Sequence, residues 1–581
     1  MIRWSMIWVL LVACGGKDDP STPSTTASDT DTDTDTDTDT DTDTDADTDA
    51  DTDADADTDA DTDADSAATG DTGQPMPAHL QPVLDQLLID LSENDGPGVS
   101  IAIMEGGQVT WAAAYGSARP DAQVPPTPDT LFQLGSTTKM YTALALLQQV
   151  EAGRIELSTP LSTPLPGWDM ASHPGSFDQI TMHDLLTHQG AFYDAVEWNS
   201  QPFDGYLSAW AEGYTDTYWL MAEPGRFMNY SNPNWSFAGL VAEELDGRSY
   251  DELLREDVFA PLGMPRTMFK KADADRDGDY ALGTGLDPFS TAVIPYTLDT
   301  VQDNASGRPA GVCTWTTPTQ QLQMASFLMN GDPSILSDTL REAMFAPHSP
   351  VLESIDTAYG YGLFVEQGLW TSQGYHEVEM WHHGGNAYGY SSDFYVVPST
   401  GFAISILSSG FAQDYTDTVV AALESAADLP APTLDPPEWP FDAARLDDHV
   451  GSYTDHVNGT FTITRNGDGL DISWPFLETY GYVIPPALVP ISDSLWVADL
   501  SGYPLTLAFV GTPGTPSEFA ANRILVGNRD AQSTSPTTTT GTTGDTGTLS
   551  PLPAAPSARR ALAPTPTDVE LQRARRLQRP R

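Results

Sequence analysis

The sequence predicts an α/β body followed by a small antiparallel β unit. Three observations lead there. From Pro75 to Leu429, strand-like and helix-like segments alternate. From 443 to 529 the segments are short, alternate in polarity and are split by turn signals, as in a small antiparallel sheet or barrel. Between them lies a proline-rich joint, 430–442, with Pro430, Pro432, Pro436, Pro437 and Pro440. A length of 581 residues agrees with more than one domain.

The elements follow in chain order. Residues 1–14 begin with Arg3 and an apolar run, Trp4 to Val12, too short to span a bilayer as a helix. The run ends in Leu11-Val12-Ala13-Cys14 before Gly15-Gly16, which resembles the lipobox of bacterial lipoproteins. That resemblance implies a signal peptide, acylation at Cys14, and a lipid-anchored protein of the bacterial cell envelope facing the periplasm or exterior. It would also leave Cys313, the one other cysteine, without a disulfide partner. Cys313 reads as a small core residue. Residues 15–74 form a tether in which nineteen aspartates alternate with Thr and Ala from Asp29 to Asp65. Such a run repels itself and has nothing to build a core from, so it is expected to be disordered, spanning about 45 Å or more.

The body is predicted over 75–429. Val99 to Met104, Gly106-Gly107 and Val109 to Ala113 read as a β-hairpin. Thr138 to Gln149 and Phe237 to Leu245 read as helices, each ending before a glycine. Tyr390 to Val397 and Phe402 to Leu407 read as antiparallel strands joined by Pro398-Ser399-Thr400-Gly401. The β unit follows, with strands expected around Gly451-Ser-Tyr-Thr, Phe461-Thr-Ile-Thr, Leu470-Asp-Ile-Ser-Trp, Leu495-Trp-Val and Leu505 to Phe509. The remainder, 530–581, is a Thr/Gly linker and an Arg-rich tail, read as disordered and solvated.

The formal net charge is −58, much of it in the tether. The rest is still acidic, which argues against a nucleic-acid partner for the folded part. The chain has four lysines against twenty-one arginines, and one lysine, Lys139, lies three residues after Ser136 at the start of an apolar helical run. Arginine keeps its proton in a protein, whereas a desolvated lysine can lose it. An amine one helical turn from a hydroxyl can make serine a nucleophile. A surface lysine beside a helix-capping serine is the plain alternative for Ser-x-x-Lys alone.

Two further elements accompany the pair. Tyr230-Ser231-Asn232 precedes the Phe237 helix. A phenol beside cationic groups serves as acid or base, and an amide next to it orients a carbonyl or the lysine. His383-Gly384-Gly385-Asn386 lies just before the Tyr390 strand. Two glycines let a strand edge approach a substrate closely, and the N–H groups of Ser136 and Asn386 can form an oxyanion hole.

Ser-x-x-Lys, then Tyr-x-Asn, then a basic residue with glycine resembles the class C β-lactamase-related serine hydrolases, a group with penicillin-binding, D-aminopeptidase and esterase members. Asp129 to Ser136, Ile180 to His188, Pro261-Leu-Gly-Met264 and Gly389-Tyr-Ser-Ser392 carry the same resemblance, over roughly residues 77–428. It implies an antiparallel sheet flanked by helices with a helical lobe, and a small C-terminal β-barrel-like domain. It implies acyl transfer to ester or amide substrates, small molecules or peptides, with Ser136, Lys139 and Tyr230 catalytic. Either Lys139 or Tyr230 is the base. Asn232, His383, Gly384 and Gly385 would bind substrate. A true class C β-lactamase carries Lys-Thr-Gly where this chain has His383-Gly384-Gly385, so the expectation leans to an esterase or D-peptidase. The alternatives are a β-lactamase or DD-peptidase, or a non-hydrolytic peptidoglycan-binding lipoprotein.

No cofactor or metal is expected. His382 and His383 are adjacent on a strand and point to opposite faces. His183 and His188 are five apart, a poor zinc spacing, and read as packing residues. Asp273-x-Asp275-x-Asp277-Gly278 mimics a calcium loop but has Thr284 where a bidentate Glu is required, and reads as an acidic loop. The aromatics of 191–222, Trp198 to Trp219, would either overhang the site or pack the lobe.

Overall fold

The computed structural model describes residues 75–94, 98–119, 122–195, 207–286, 293–299, 301, 303–387, 389–410, 413–522 and 525–530. The leader with Cys14, the Asp-rich tether and residues 531–581 of the tail lie outside the described residues.

Helix α1 (Gln81–Glu93) buries Val83 and Leu87, one turn apart, and leads into the hairpin of β1 (Gly98–Glu105) and β2 (Gln108–Gly116). Gly106 and Gly107 turn it at φ +55° and +79°, which glycine adopts without a Cβ penalty. Then come α2 (Lys139–Glu151), α3 (Pro233–Asp246) and α4 (Pro318–Asn330). Six strands complete the sheet: β3 (Ser349–Pro350), β4 (Thr357–Tyr359), β5 (Phe364–Glu366), β6 (Met380–Ala387), β7 (Tyr390–Val397) and β8 (Phe402–Ser408). Helix α5 (Thr416–Ala426) closes the body.

The sheet is antiparallel, in the order β2-β1-β8-β7-β6-β5-β4-β3. The first hairpin therefore pairs with the last strand, Ile101 opposite Ile406 and Ile103 opposite Ile404. Strand alternation divides the core in two. Ile101 and Ile103 pack with Val83, Leu87 and Val419 under α1 and α5. Ala102 and Met104 face the other way, into a core shared with Leu144 of α2 and Leu322 of α4. Helix α2 is buried from Lys139 to Leu147, so it is a central helix rather than an amphipathic surface one.

The C-terminal unit is a second antiparallel sheet: β9 (Gly451–Asp455), β10 (Gly459–Asn466), β11 (Gly469–Ser473), β12 (Val489–Pro490), β13 (Leu495–Leu500), β14 (Tyr503–Val510), β15 (Phe519–Ala521) and β16 (Val526–Arg529). Its order is β11-β10-β9-β16-β15-β14-β13-β12. A bridge from Asp471 to Ala487 brings the two ends together, so the sheet is nearly closed around Tyr453, Phe461, Trp474 and Trp496. It docks on the body through Phe519, Ala521 and Val526, packed with Met221, Trp219 and Phe227. Arg226 meets Glu518 at 2.6 Å, and Asn528 Nδ2 donates to the Met221 carbonyl at 3.1 Å.

The acidic loop predicted at 273–278 is instead a short helix, Lys271–Asp277, capped by Gly278 at φ +86°. Two arginines make the difference by binding its carboxylates: Arg276 pairs with Asp273 at 2.7 Å and Arg266 with Asp277 at 2.6 Å. Among the described residues no group of three or more His, Cys, Asp or Glu is arranged to hold a metal ion.

Candidate active site

Ser136 sits in a 3-10 turn, Gly135–Thr138, that runs directly into α2. The turn is buried around it, and Ser136 is its one partly exposed residue. Two glycine contacts fix its position. A Cβ on Gly135 would lie 2.5 Å from the Asn386 amide nitrogen, and one on Gly385 would lie 2.9 Å from the Ser136 amide nitrogen. The serine turn thus rests against the backbone of β6, at an approach that only glycine permits. The first three residues of that strand, Met380 to His382, pair with β5; from His383 to Ala387, among the described residues, it pairs only with β7.

Lys139 is fully buried. Its Nζ donates to Ser136 Oγ at 3.0 Å, to Asn232 Oδ1 at 2.8 Å, and to the Ala310 carbonyl. Burial pushes its pKa down from the usual lysine range to about 7, opposed by the charge of Asp194. The Tyr230 ring faces this nitrogen, 5.1 Å from it to the centroid. Ser136, Lys139, Tyr230 and Asn232 are therefore brought together, although Ser136 and Tyr230 are 94 residues apart in sequence.

Asn232 occupies the N-cap position of α3, yet its side chain caps nothing. It spans Lys139 on one edge and Asp194 on the other, with Nδ2 donating to Asp194 Oδ1 at 3.2 Å. Asp194 also accepts from the Asn232 backbone N–H at 3.0 Å. Burial raises the Asp194 carboxyl to about 7; the Asn232 N–H groups and Lys139 pull the other way.

His188 positions the phenol. Its ring stacks on Tyr230 at 4.0 Å between centroids, and its Nε2 accepts from Trp235 Nε1–H at 3.0 Å. Its Nδ1 meets the Ser231 backbone, 2.9 Å from the amide nitrogen. His188 does this from a left-handed backbone, φ +58°, a strained conformation for a residue with a Cβ. It is a packing residue, as its spacing implied, and the ring it packs is Tyr230.

The resemblance implies a substrate-binding role for His383, and the structure places its ring behind the strand. The ring is 2 % exposed, with Nε2 3.0 Å from the Tyr359 hydroxyl and Nδ1 2.6 Å from the Gly384 carbonyl. It anchors the strand, while Gly384 is the exposed member of the motif. Asn386 binds Ser391 Oγ through its Oδ1 at 2.9 Å. Of the aromatics in 191–222, Trp198, Phe203 and Tyr206 lie outside the described residues; Trp210 and Tyr214 are buried in the lobe, and Tyr218 and Trp219 stack beside Tyr193. Asp194 and the Ala310 carbonyl escape sequence reasoning. The one signal for Asp194 is an acid at the end of the apolar run Ala191-Phe192-Tyr193. A cavity of about 950 Å³ lies elsewhere, at the seam with the β unit, lined by Met221, Arg226, Glu518 and Phe519 among others and by none of the residues above.

Known proteins share this arrangement of chain. A family model described as Beta-lactamase matches residues 84–427, more than half of the sequence. The unguisins hydrolase ungD' of Aspergillus campestris is 27% identical over 363 residues, 61% of this chain and 65% of that protein. Protein flp of Staphylococcus aureus is 29% identical over 211 residues, 35% of this chain and 41% of that protein. The chain thus spans less than two thirds of the length of these curated relatives. Among solved structures, the octameric penicillin-binding protein homologue from Pyrococcus abyssi superposes with a TM-score of 0.52 at 22% identity, covering 74% of this chain and 96% of that one.

Proposed function

The chain belongs to the β-lactamase family, and from that premise we propose that it is a serine hydrolase working through an acyl-enzyme on ester or amide substrates. The observation that carries the reading is the contact of Lys139 Nζ with Ser136 Oγ at 3.0 Å, made by a lysine wholly withdrawn from water. In the amine form, Lys139 takes the Ser136 proton as Oγ bonds to the substrate carbonyl carbon. The carbonyl electron pair moves onto oxygen and is held by the N–H groups of Ser136 and Asn386. The tetrahedral species collapses, the bond to the leaving group breaks, and that group departs with a proton delivered from Lys139 through or beside Tyr230. Water then enters by the reverse sequence and frees the acid and Ser136.

Substrate lies along the edge of β6 that no other strand among the described residues covers, where exposed Gly384 leaves room for an extended chain. His383 contributes by fixing that edge. A buried imidazole held by Tyr359 and the Gly384 carbonyl offers a substrate carboxylate no exposed cation of the kind a lysine provides, which favours esters and D-peptide-like amides over β-lactams. The body is held at the bacterial envelope by acyl chains on Cys14; labelling with radioactive palmitate that Cys14→Ser abolishes is the expected result.

The test is hydrolysis of a p-nitrophenyl ester by the wild-type chain and by Ser136→Ala, with D-amino acid amides and nitrocefin in parallel. Turnover confined to the wild type, with a fluorophosphonate adduct on Ser136, is expected. Equal activity in the alanine variant removes Ser136 from the mechanism. Neither turnover nor adduct favours a binding protein on the same scaffold.

A further inference from the structure

Asn232 links a lysine to a carboxylate, and the chemistry of its two edges is not interchangeable. An ionised carboxylate only accepts hydrogen bonds. With Asp194 ionised, the form that the Asn232 N–H groups and Lys139 favour, the edge of the amide that meets it is the NH2, at 3.2 and 3.4 Å from the two carboxylate oxygens. That leaves Oδ1, an acceptor, for Lys139 at 2.8 Å. The Ala310 carbonyl, also only an acceptor, takes a second Nζ–H. Once Lys139 is an amine it has two N–H groups and one lone pair. Both N–H groups are committed, so the remaining tetrahedral direction, toward Ser136 Oγ at 3.0 Å, is that of the lone pair.

We propose that Asp194 is a positioning residue for the nucleophile: by holding the Asn232 amide with its oxygen toward Lys139, it aims the lysine lone pair at the Ser136 hydroxyl. Without it the amide is free to turn. Its NH2 would then face the amine, which would accept from it, and the lone pair would be drawn away from the serine. The use of Asn232 for this bridge also accounts for the uncapped start of α3, where an Asn side chain ordinarily satisfies a helix N–H. The inference rests on the hydrolase reading and adds to it a carboxylate that never touches substrate.

The charge of Asp194 acts on Lys139 as well. Lys139 faces Asp194 and Tyr230; Asp194 faces Lys139, Tyr193 and Tyr214, and Asp455 acts on Tyr193 in turn. Asp194 is the one carboxylate among them that favours the ammonium directly. Removing it lowers the pKa of Lys139, so the amine persists to lower pH.

The experiment compares the full chain with Asp194→Asn and Asp194→Glu, using p-nitrophenyl acetate across pH and, independently of turnover, the rate at which a fluorophosphonate labels Ser136. Asp194→Asn is expected to lower kcat by about tenfold or more with KM nearly unchanged, and to slow labelling in step. Its acid limb should move to lower pH. Asp194→Glu keeps the charge and is expected to restore the wild-type limb with part of the rate. Wild-type kcat, labelling rate and limb in Asp194→Asn would overturn the proposal. Should Asp194→Asn not fold, Asp194→Glu decides: a wild-type limb upholds the idea and a limb displaced downward refutes it. Loss of wild-type ester turnover would count against the hydrolase reading alone, because labelling still reports the priming of Ser136.

Discussion

Lys139 is fully buried, and in the proposed mechanism its proton moves. A lysine pushed to about pKa 7 by desolvation is an amine above that pH and an ammonium below it. As the amine is the active form, kcat/KM for an ester should fall as pH drops below about 7 and level off above it. A flat acid side would contradict the assignment. Lys139→Arg keeps a cation that cannot give up its proton and forces a larger head into a filled site; a loss of about 10²–10⁴-fold in kcat is expected, read from steady-state kinetics. His188→Leu removes the acceptor of the buried Trp235 N–H, which costs about 1–3 kcal/mol and should lower both Tm and kcat. That Ser136, Lys139, Tyr230 and Asn232 lie together was legible in the sequence through the ordered motifs Ser-x-x-Lys and Tyr-x-Asn and the family they resemble. Asp194 was not, because a carboxylate that acts through an amide needs no spacing to its partners; only the folded chain brings position 194 to position 232.

At the scale of elements, the Ser136 turn is held by close backbone contact together with the hydroxyls of Thr137 and Ser392. Gly385 faces the Leu134 carbonyl, Ser392 Oγ and the Ser136 amide nitrogen, so β6 and the turn before α2 touch directly. Gly385→Ala should separate them, with a destabilisation of about 1–3 kcal/mol and a larger fall in kcat than in binding; thermal melts and ester kinetics measure both. Unchanged kinetics would mean that the turn tolerates displacement. The β-strands were readable because turn glycines and alternation mark them: the predicted 99–104 and 109–113 became Gly98–Glu105 and Gln108–Gly116. The 273–278 stretch was misread because its spacing is calcium-like; the sequence shows Arg276 within it, but only the fold brings Arg266 to Asp277. The burial of His383 escaped the sequence for a similar reason. Its partner Tyr359 belongs to β4, which lies two strands away in the sheet order.

Across the whole molecule, the β unit is part of the framework of the site. It packs on Met221 and Phe227, and Asn229, next to Tyr230, donates to the Asn522 carbonyl at 3.3 Å. A chain ending at Leu429 should therefore melt lower, by about 1.5–3 kcal/mol for the exposure of Met221 alone, and turn over more slowly. Full activity in the shortened chain would show the β unit to be dispensable. The order of the large sheet has a temporal consequence. Val99 lies opposite Ser408, so the first hairpin leaves the ribosome with one edge unmatched until its counterpart is translated. At ordinary elongation speeds that interval is roughly 15–60 s, and for most of it Ser136 has been made but the strand it rests on, β6, has not. Until β6 follows, the Ser136 turn lacks the backbone it rests against, and the interval is one in which a holding chaperone has an exposed, β-rich edge to shield.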